Sequence, residues 1–230
     1  MSWLYRVKYK KDGPLKFISH LDFNSLFCRT LRRAKIEVEL TQGFNTRFKI
    51  SFGPALPLGI AGWQEILDIH LLNELSNEQI KEKINRFAPV GLKIKEVEPI
   101  SEKENGLSKS LKWANYLIQL RFDGKMNKIA KEEIYSYLER NINHFLNQKN
   151  ILVEKHTKKG LREVDLRPYI EKIETLCCQD KGIAIRLIVD IQYKGSINPN
   201  LITNEFIKKF EEQKIYISEI IREQFIGTVS

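Results

Sequence analysis

A loop rich in glycine and proline, residues 42–59, carries the side chains best suited to binding chemistry. Its sequence is QGFNTRFKISFGPALPLG. Phe44 and Phe48 are flat rings on which bases could stack, or core residues that hold the loop in place. The donors of the loop that suit a phosphate or a base edge are Gln42, Asn45, Arg47 and Lys49. Donors beside aromatic rings on a stiff loop predict a binding element rather than a catalytic centre.

Two further segments carry candidate contacts for an anion. His20, in FISHLD, falls at the first turn of a predicted helix, where backbone N–H groups and the helix dipole favour negative charge. Asp22 would orient its imidazole or cap the helix. The second segment, KKGLREVDLRP, is either a phosphate clamp or a solvated hairpin tip, and Asp165 in it is expected to pair with an arginine. Its candidate phosphate contacts are Lys158, Lys159, Arg162 and Arg167.

Sequence signatures of common enzyme classes are missing. The chain has no Walker loop, GxGxxG, GxSxG or HExxH pattern. Acid–base cleavage of RNA by His20 with Arg47 or Lys49 is chemically feasible, but no second signal supports it. The cysteines, Cys28, Cys177 and Cys178, give neither a zinc spacing nor a disulfide framework. We therefore expect no cofactor and no metal site.

Charge and composition narrow the class of protein further. The 230 residues are 42% hydrophobic and 29% charged, with a formal net charge of +9. Residues 1–62 hold eleven lysines and arginines against four acidic residues, which is most of that excess. A concentrated positive field favours a polyanion such as RNA, although a lysine-rich surface also serves solubility. The lack of a signal peptide or a long apolar run predicts a cytoplasmic protein with no membrane contact.

The elements that must position these residues are visible as hydrophobic patterns. Residues 3–10 alternate as a strand, and Ser19 begins an amphipathic helix with a capping-box-like S-x-x-D. Residues 36–40 look extended, residues 49–52 and 65–72 predict strands, and residues 76–87 predict a second helix before a strand at 92–99. The resulting order is strand, helix, strand, strand, helix, strand.

That order is the ferredoxin-like βαββαβ pattern, in which helices cover one face of an antiparallel sheet. The second part of the chain repeats it, so we predict an α+β protein of two tandem ferredoxin-like halves. The predicted boundaries are 1–101, a polar linker at 102–112, and 113–230. Each half would place a basic hairpin between its second and third main strands, and the two hairpins could line one groove.

Four motifs in this order resemble the radical SAM-linked protein family, a bacterial domain of unknown function. They are KFISHLD, TQGFNTRFKISFGPALPLG, LDIHL and KKGLREVDLRP, and together they cover nearly the whole chain. The family tends to have proline where this chain has Thr46 and Phe48, which makes the loop less rigid here. The resemblance implies a radical SAM partner and a connection to RNA or translation. The chain lacks the closely spaced cysteine triplet that would make it the radical enzyme itself.

Three hypotheses follow. The first is a non-catalytic accessory domain that binds RNA through both basic hairpins. The second is a module that docks a radical SAM enzyme or presents its substrate through the apolar residues 54–60. The third is an RNA endonuclease resembling the duplicated ferredoxin-like CRISPR processing enzymes, with His20 as the candidate catalytic residue.

Overall fold

A computed structural model describes residues 2–101, 106–122, 130–157, 160–178, 182–210 and 215–227. Contacts between Cα atoms divide the chain into two compact units. Unit 1 comprises the residues up to Leu111 together with those from Arg222 onward, and unit 2 comprises Lys112–Ile221. The sequence analysis had placed all of 113–230 in one half, whereas the last strand crosses the division. Residues 102–105 of the predicted linker lie outside the described residues.

Unit 1 is built on an antiparallel sheet. Strand β1 pairs with β3 on one side and with β4 on the other, and β2 pairs with β3. The predicted strands and helices of this region are confirmed. Their bounds, with one short helix at the end of the region, are β1 (Trp3–Lys11), α1 (His20–Arg33), β2 (Ile50–Phe52), β3 (Ala61–Leu71), α2 (Asn77–Phe87), β4 (Leu92–Pro99) and α3 (Leu107–Ser110). The segment expected to be extended at residues 36–40 forms two isolated bridges, Val38 to Leu71 and Leu40 to Phe48.

Local chemistry explains where the two long helices of unit 1 begin. The Ser19 hydroxyl accepts a hydrogen bond from the Asp22 N–H at 3.1 Å, so the predicted cap of α1 is confirmed. Helix α2 begins with a full capping box between Ser76 and Gln79. Such caps satisfy N–H groups that have no partner within the helix, and each contributes about 1 kcal/mol. Apolar residues of both helices pack on the sheet in one core.

One residue of β1 departs from the expected division between apolar and charged faces. Tyr5, Val7 and Tyr9 point into the core, and the same alternation buries Lys11, which is only 3% exposed. The sequence analysis had counted Lys11 with the surface charges. A buried ammonium group needs nearby compensation, so Lys11 marks a polar cluster within unit 1.

Unit 2 also combines an antiparallel sheet with helices. Strand β5 lies between β9 and β10, and β8 pairs with the other side of β9. A separate hairpin, β6 and β7, carries the second basic motif. The bounds are β5 (Leu111–Phe122), α4 (Lys131–Leu146), β6 (Leu152–Thr157), β7 (Gly160–Asp165), β8 (Ile170–Cys178), β9 (Gly182–Asp190), α5 (Pro199–Ile207) and β10 (Ile215–Gly227). The protein is therefore a mixed α/β fold with mostly antiparallel sheet structure, as expected at the level of fold class.

Candidate nucleic-acid interface

The tip of the first loop, residues 42–47, presents its side chains to solvent. All six residues are exposed, and Phe44 is as accessible as in an extended chain, at 110%. Two hydrogen bonds close the tip: the Thr41 N–H donates to the Arg47 carbonyl at 2.8 Å, and the Arg47 N–H donates to the Thr41 hydroxyl at 3.0 Å. Gly43 has φ +120°, a conformation that favours glycine. The tip therefore places four candidate contacts close together in the sequence and exposed to solvent: Gln42, Phe44, Asn45 and Arg47.

The next two residues of the loop turn back toward the protein. Phe48 is half-buried against the core, with the Arg32 guanidinium 5.0 Å from its ring centre. Lys49 places its ammonium 3.1 Å from both carboxylate oxygens of Glu39. Hydrogen bonds from Ser2 and then from Lys49 keep the pKa of the Glu39 carboxyl below its ordinary value. The predicted contacts at residues 42–47 are thus exposed, whereas Phe48 and Lys49 contact other residues of the protein.

His20 opens α1 and packs against the short strand β2. Its ring lies edge-on to Phe52, with 5.6 Å between ring centres, and its Nε2 atom is 3.4 Å from the Asn24 amide nitrogen. Burial lowers the pKa of His20, and the positive charges of Lys11 and Arg222 lower it further. Neither Arg47 nor Lys49 is among the ring's described contacts. The cleavage hypothesis that joined His20 to these residues therefore gains no support from the geometry.

The second part of the loop, residues 53–60, rests on a buried ion pair. Arg222, 2% exposed, donates through Nε to Glu65 at 2.7 Å, and its Nη2 makes a second, short bond to the same carboxylate. The guanidinium also donates to the Pro54 carbonyl at 2.7 Å and to the Ala55 carbonyl at 3.4 Å. The planar guanidinium thus binds a carboxylate and two loop carbonyls at once, which fixes the path of the chain after β2.

Two more polar residues of β1 complete this buried cluster. Lys11 donates to the Ile18 carbonyl at 3.3 Å and lies 4.9 Å from the Phe23 ring centre. Burial lowers its pKa, while the nearby Glu65 carboxylate raises it. Burial, and secondarily Glu65, raises the pKa of Tyr9 well above its ordinary value. Sequence analysis missed this cluster because neither spacing nor motif relates its members.

In unit 2, the β6–β7 hairpin borders a groove of about 390 Å³. Arg162 pairs with Lys155 across the two strands, and both line this groove. Tyr169 and Tyr193 meet there edge to face at 5.0 Å, and Lys194 lies over the Tyr193 ring. Basic side chains beside tyrosines repeat the combination predicted for the first loop. The other two predicted phosphate contacts of this motif, Lys158 and Lys159, lie outside the described residues.

Two polar residues at the end of this hairpin hold the fold together. The Asp165 carboxylate accepts bonds from the Ile151 and Arg167 backbone N–H groups, at 2.8 and 3.0 Å, and from the Asn150 amide. Burial would raise the pKa of Asp165, but these bonds lower it overall. Arg167 donates to the carbonyls of Leu146 and Ile170 at 2.9 and 3.0 Å. The predicted phosphate contact at Arg167 is thus tied to backbone atoms.

Other kinds of site find no support in the described part of the chain. It contains no group of three histidine, cysteine or acidic side chains placed to hold a metal ion. None of its helices is long and apolar enough to span a membrane.

Comparison with known proteins places the sequence in a family but gives no function. The family model described as "Uncharacterized protein conserved in bacteria (DUF2344)" matches residues 4–199. No curated protein sequence matches the chain significantly. Among solved structures, a chain of a Cbf5-Nop10-Gar1 complex is similar at a TM-score of 0.48 and 12% identity. That similarity covers 96% of this chain and 48% of the other, so the chain spans about half its length.

A second similar structure is that of a candidate glycine cleavage system transcriptional repressor. Its TM-score is 0.23 at 8% identity, with 99% of this chain and 98% of that chain covered. Because both TM-scores lie below 0.5, neither structure is evidence for a shared function.

Proposed function

The chain belongs to this DUF2344 family of proteins conserved in bacteria, and from that starting point we propose that it is a non-catalytic protein that binds RNA. The proposal includes cooperation with a radical SAM partner. The observation that carries RNA binding is the tip at residues 42–47, where a fully exposed Phe44 stands among the donors of Gln42, Asn45 and Arg47. Proteins bind single-stranded RNA by stacking bases on aromatic rings and pairing phosphates with cations.

The way the tip is held favours a ligand of this kind. Phe48, directly after the tip, packs against the core, and the Lys49–Glu39 ion pair joins the segments that precede and follow the tip. The backbone of the tip therefore loses little further freedom when a ligand binds to the exposed side chains, which reduces the entropic cost of association. The groove beside Arg162 in unit 2 offers a second surface with lysine, arginine and tyrosine side chains.

The fold proposal is that both units are ferredoxin-like. In support, the order of strands in unit 1 is β4, β1, β3 with β2 beside β3, and in unit 2 it is β10, β5, β9, β8. With the strands of each unit numbered in chain order, both follow the ferredoxin-like 4-1-3-2 arrangement. The β6–β7 hairpin is then an insertion in the second copy.

The radical SAM partner is proposed on the resemblance of the motifs alone. Radical SAM enzymes hold an iron–sulfur cluster through three closely spaced cysteines, which this sequence lacks. Any radical chemistry connected with this protein would therefore belong to the partner.

The direct test is binding of a fluorescently labelled mixed RNA pool, followed by anisotropy over a range of salt concentrations. We expect affinity to fall steeply with salt, and Arg47→Ala to weaken binding and reduce the salt slope by about one. Arg33→Ala is the matched control, since Arg33 is an exposed arginine of the same unit on α1. Absence of binding at low salt, or equal losses in both variants, would contradict the proposal.

A second candidate function, docking of a protein partner, is favoured by one observation. Phe17, Leu21 and Leu58 are 68%, 76% and 60% exposed. Leu58 lies near Phe17, because the Gly59 N–H donates to the Lys16 carbonyl at 2.8 Å. An apolar contact of this kind would survive high salt, unlike RNA binding. Pull-downs from native cells, with and without nuclease and at two salt concentrations, separate the two functions. If the Leu58→Glu variant retains every partner that resists high salt, the docking hypothesis is contradicted.

A further inference from the structure

The outer face of the unit 1 sheet holds an open groove that none of the predicted contacts touches. Its volume is about 580 Å³, within the range of small-ligand sites. The groove lies across three neighbouring strands, β1, β3 and β4. Its lining residues are Lys8, Lys10, Trp63, Gln64, Lys95 and Glu96.

Sheet geometry explains why these side chains meet. Along β1, Tyr5, Val7 and Tyr9 face the helices, so Lys8 and Lys10 face the other way. The pairing of β1 shifts register against β3 between Tyr9 and Lys11, and against β4 between Lys8 and Tyr9. Such bulges bend a strand and redirect its side chains, and they are common next to functional sites. Both irregularities fall at the floor of the groove.

The groove carries an excess of positive charge. Lys8 pairs with Glu96 at 2.9 Å, and Lys10 pairs with Asp12. Lys93 lies directly opposite Lys10 across the strands, an arrangement of like charges that normally destabilises a sheet. Among the residues that line the groove, three lysines face one carboxylate. An anionic ligand would offset this repulsion.

Trp63 supplies the second element of the site. Its side chain is 38% exposed and lines the groove beside the lysines. An indole is a large aromatic surface on which a base can stack, and lysines beside it suit the attached phosphates. The Gln64 amide and the Glu96 carboxylate offer a donor and an acceptor for base edges. An acidic peptide would use the lysines but would leave the indole face unused.

We propose that this groove binds one nucleotide of a single-stranded RNA, with the base stacked on Trp63 and its phosphates held by Lys10 and Lys95. The inference rests on the proposed RNA-binding function and locates a contact that is separate from the tip at residues 42–47. The ligand chemistry, a base joined to phosphate, is shared by a strand and a free nucleotide. We assign the strand because the groove is open at the surface, where a chain can enter and leave it.

The test uses Trp63 as its own reporter. In a Trp3→Phe, Trp113→Phe double variant, Trp63 is the remaining tryptophan. Its fluorescence is followed during titration with an oligouridylate of about eight nucleotides, with uridine monophosphate, and with a polyglutamate peptide. We expect saturable, salt-sensitive quenching by the oligonucleotide, and far weaker quenching by the mononucleotide and the peptide.

Affinity measurements on labelled oligonucleotide provide a second readout. We expect Trp63→Ala to weaken binding roughly 5- to 150-fold, the range observed for loss of one stacked base, and Trp63→Phe to retain much of the affinity. Lys95→Glu should weaken binding and reduce the salt slope. The matched controls are Trp3→Ala, an exposed tryptophan on the opposite side of β1, and Lys83→Glu, an exposed lysine on α2.

Each contrary outcome identifies what has failed. If Arg47→Ala weakens RNA binding but the Trp63 and Lys95 variants bind normally, the groove assignment is overturned and the proposed function stands. Equal affinity for uridine monophosphate and the oligonucleotide would overturn the assignment to a strand. Stronger quenching by the peptide would overturn the assignment to nucleic acid. If no RNA binds at low salt, the proposed function fails, and the inference fails with it.

Discussion

The two parts of the glycine- and proline-rich loop, residues 42–47 and 53–60, differ in what their residues contact. Residues 42–47 are all exposed, and two hydrogen bonds involving Thr41 and Arg47 close them. In residues 53–60, by contrast, the carbonyls of Pro54 and Ala55 bind the guanidinium of Arg222, which also pairs with Glu65. One continuous motif therefore contains a part that presents side chains and a part that is held by the fold.

The unusual residues of this loop therefore have two different structural roles, one in each part. In the tip, glycine, amide and arginine residues leave their backbone and side chains exposed to solvent. In the following part, proline and glycine give a backbone whose carbonyls point toward a buried guanidinium. Loss of the Arg47 side chain at the tip should therefore weaken binding with normal stability, whereas loss of the Arg222 guanidinium that binds the following part should lower stability.

The largest effect is expected from Arg222→Met. Removal of the guanidinium leaves Glu65 as a buried carboxylate without its main partner, and breaking such a pair costs about 3–5 kcal/mol. Urea denaturation should show this fall in the free energy of unfolding, whereas Arg29→Met, at an exposed position on α1, should change it by less than about 0.5 kcal/mol.

A double variant checks that the ion pair is the cause. Arg222→Met combined with Glu65→Met removes the orphaned charge, so it should recover part of the lost stability. If the stability losses of the two single variants simply add in the double variant, the two residues act independently. The ion pair would then not be what fixes the second part of the loop.

A smaller effect is expected from Gly43→Ala at the tip. The new methyl group would meet no atom within 4 Å, but φ +120° strains any residue other than glycine. We expect a loss of about 1 kcal/mol in the free energy of unfolding, together with weaker RNA binding as the tip adjusts. Gly106→Ala is the matched control, because it also meets open space but has φ −55°. Similar losses in both variants would show that strain at the tip is negligible.

The smallest effect concerns pH and the junction between the two parts, where His20 packs on Phe52. Burial lowers the pKa of His20 in the folded protein, so the unfolded chain takes up the proton more readily. Stability should therefore fall as the pH decreases below about 6.5, the ordinary histidine value. In urea titrations across this range, His20→Gln should remove part of the decline. An unchanged decline would assign it to other groups.

Much of the local structure could be predicted from the sequence because it depends on neighbouring residues. Alternation identified β1, the Ser19 cap identified the start of α1, and amphipathic spacing identified α2. The exposed tip was also predictable, since its polar residues follow one another in the chain. These features follow from periodicity and capping, which act over a few residues.

The rest of the candidate site depends on contacts between distant residues. Arg222 is 157 positions from Glu65, and no local pattern connects them. No pattern in the sequence relates Trp63 to Lys8 and Lys10, which the pairing of β3 with β1 brings to one groove. Arg167 illustrates the reverse case. Its place in a basic, polar motif predicted a phosphate contact, whereas its side chain donates to two backbone carbonyls of the protein. Residue type alone does not distinguish these cases.

The position of Arg222 in the chain also constrains the order of folding. Synthesis proceeds from the N-terminus, so β1, α1 and β3 emerge long before the strand that carries Arg222. Until then, Glu65 and the carbonyls of Pro54 and Ala55 lack their guanidinium partner. Closing a contact of such long sequence separation is entropically costly and slow. Completion of unit 1 is therefore a late event, and the loop reaches its final form only after the strand that carries Arg222 has been made.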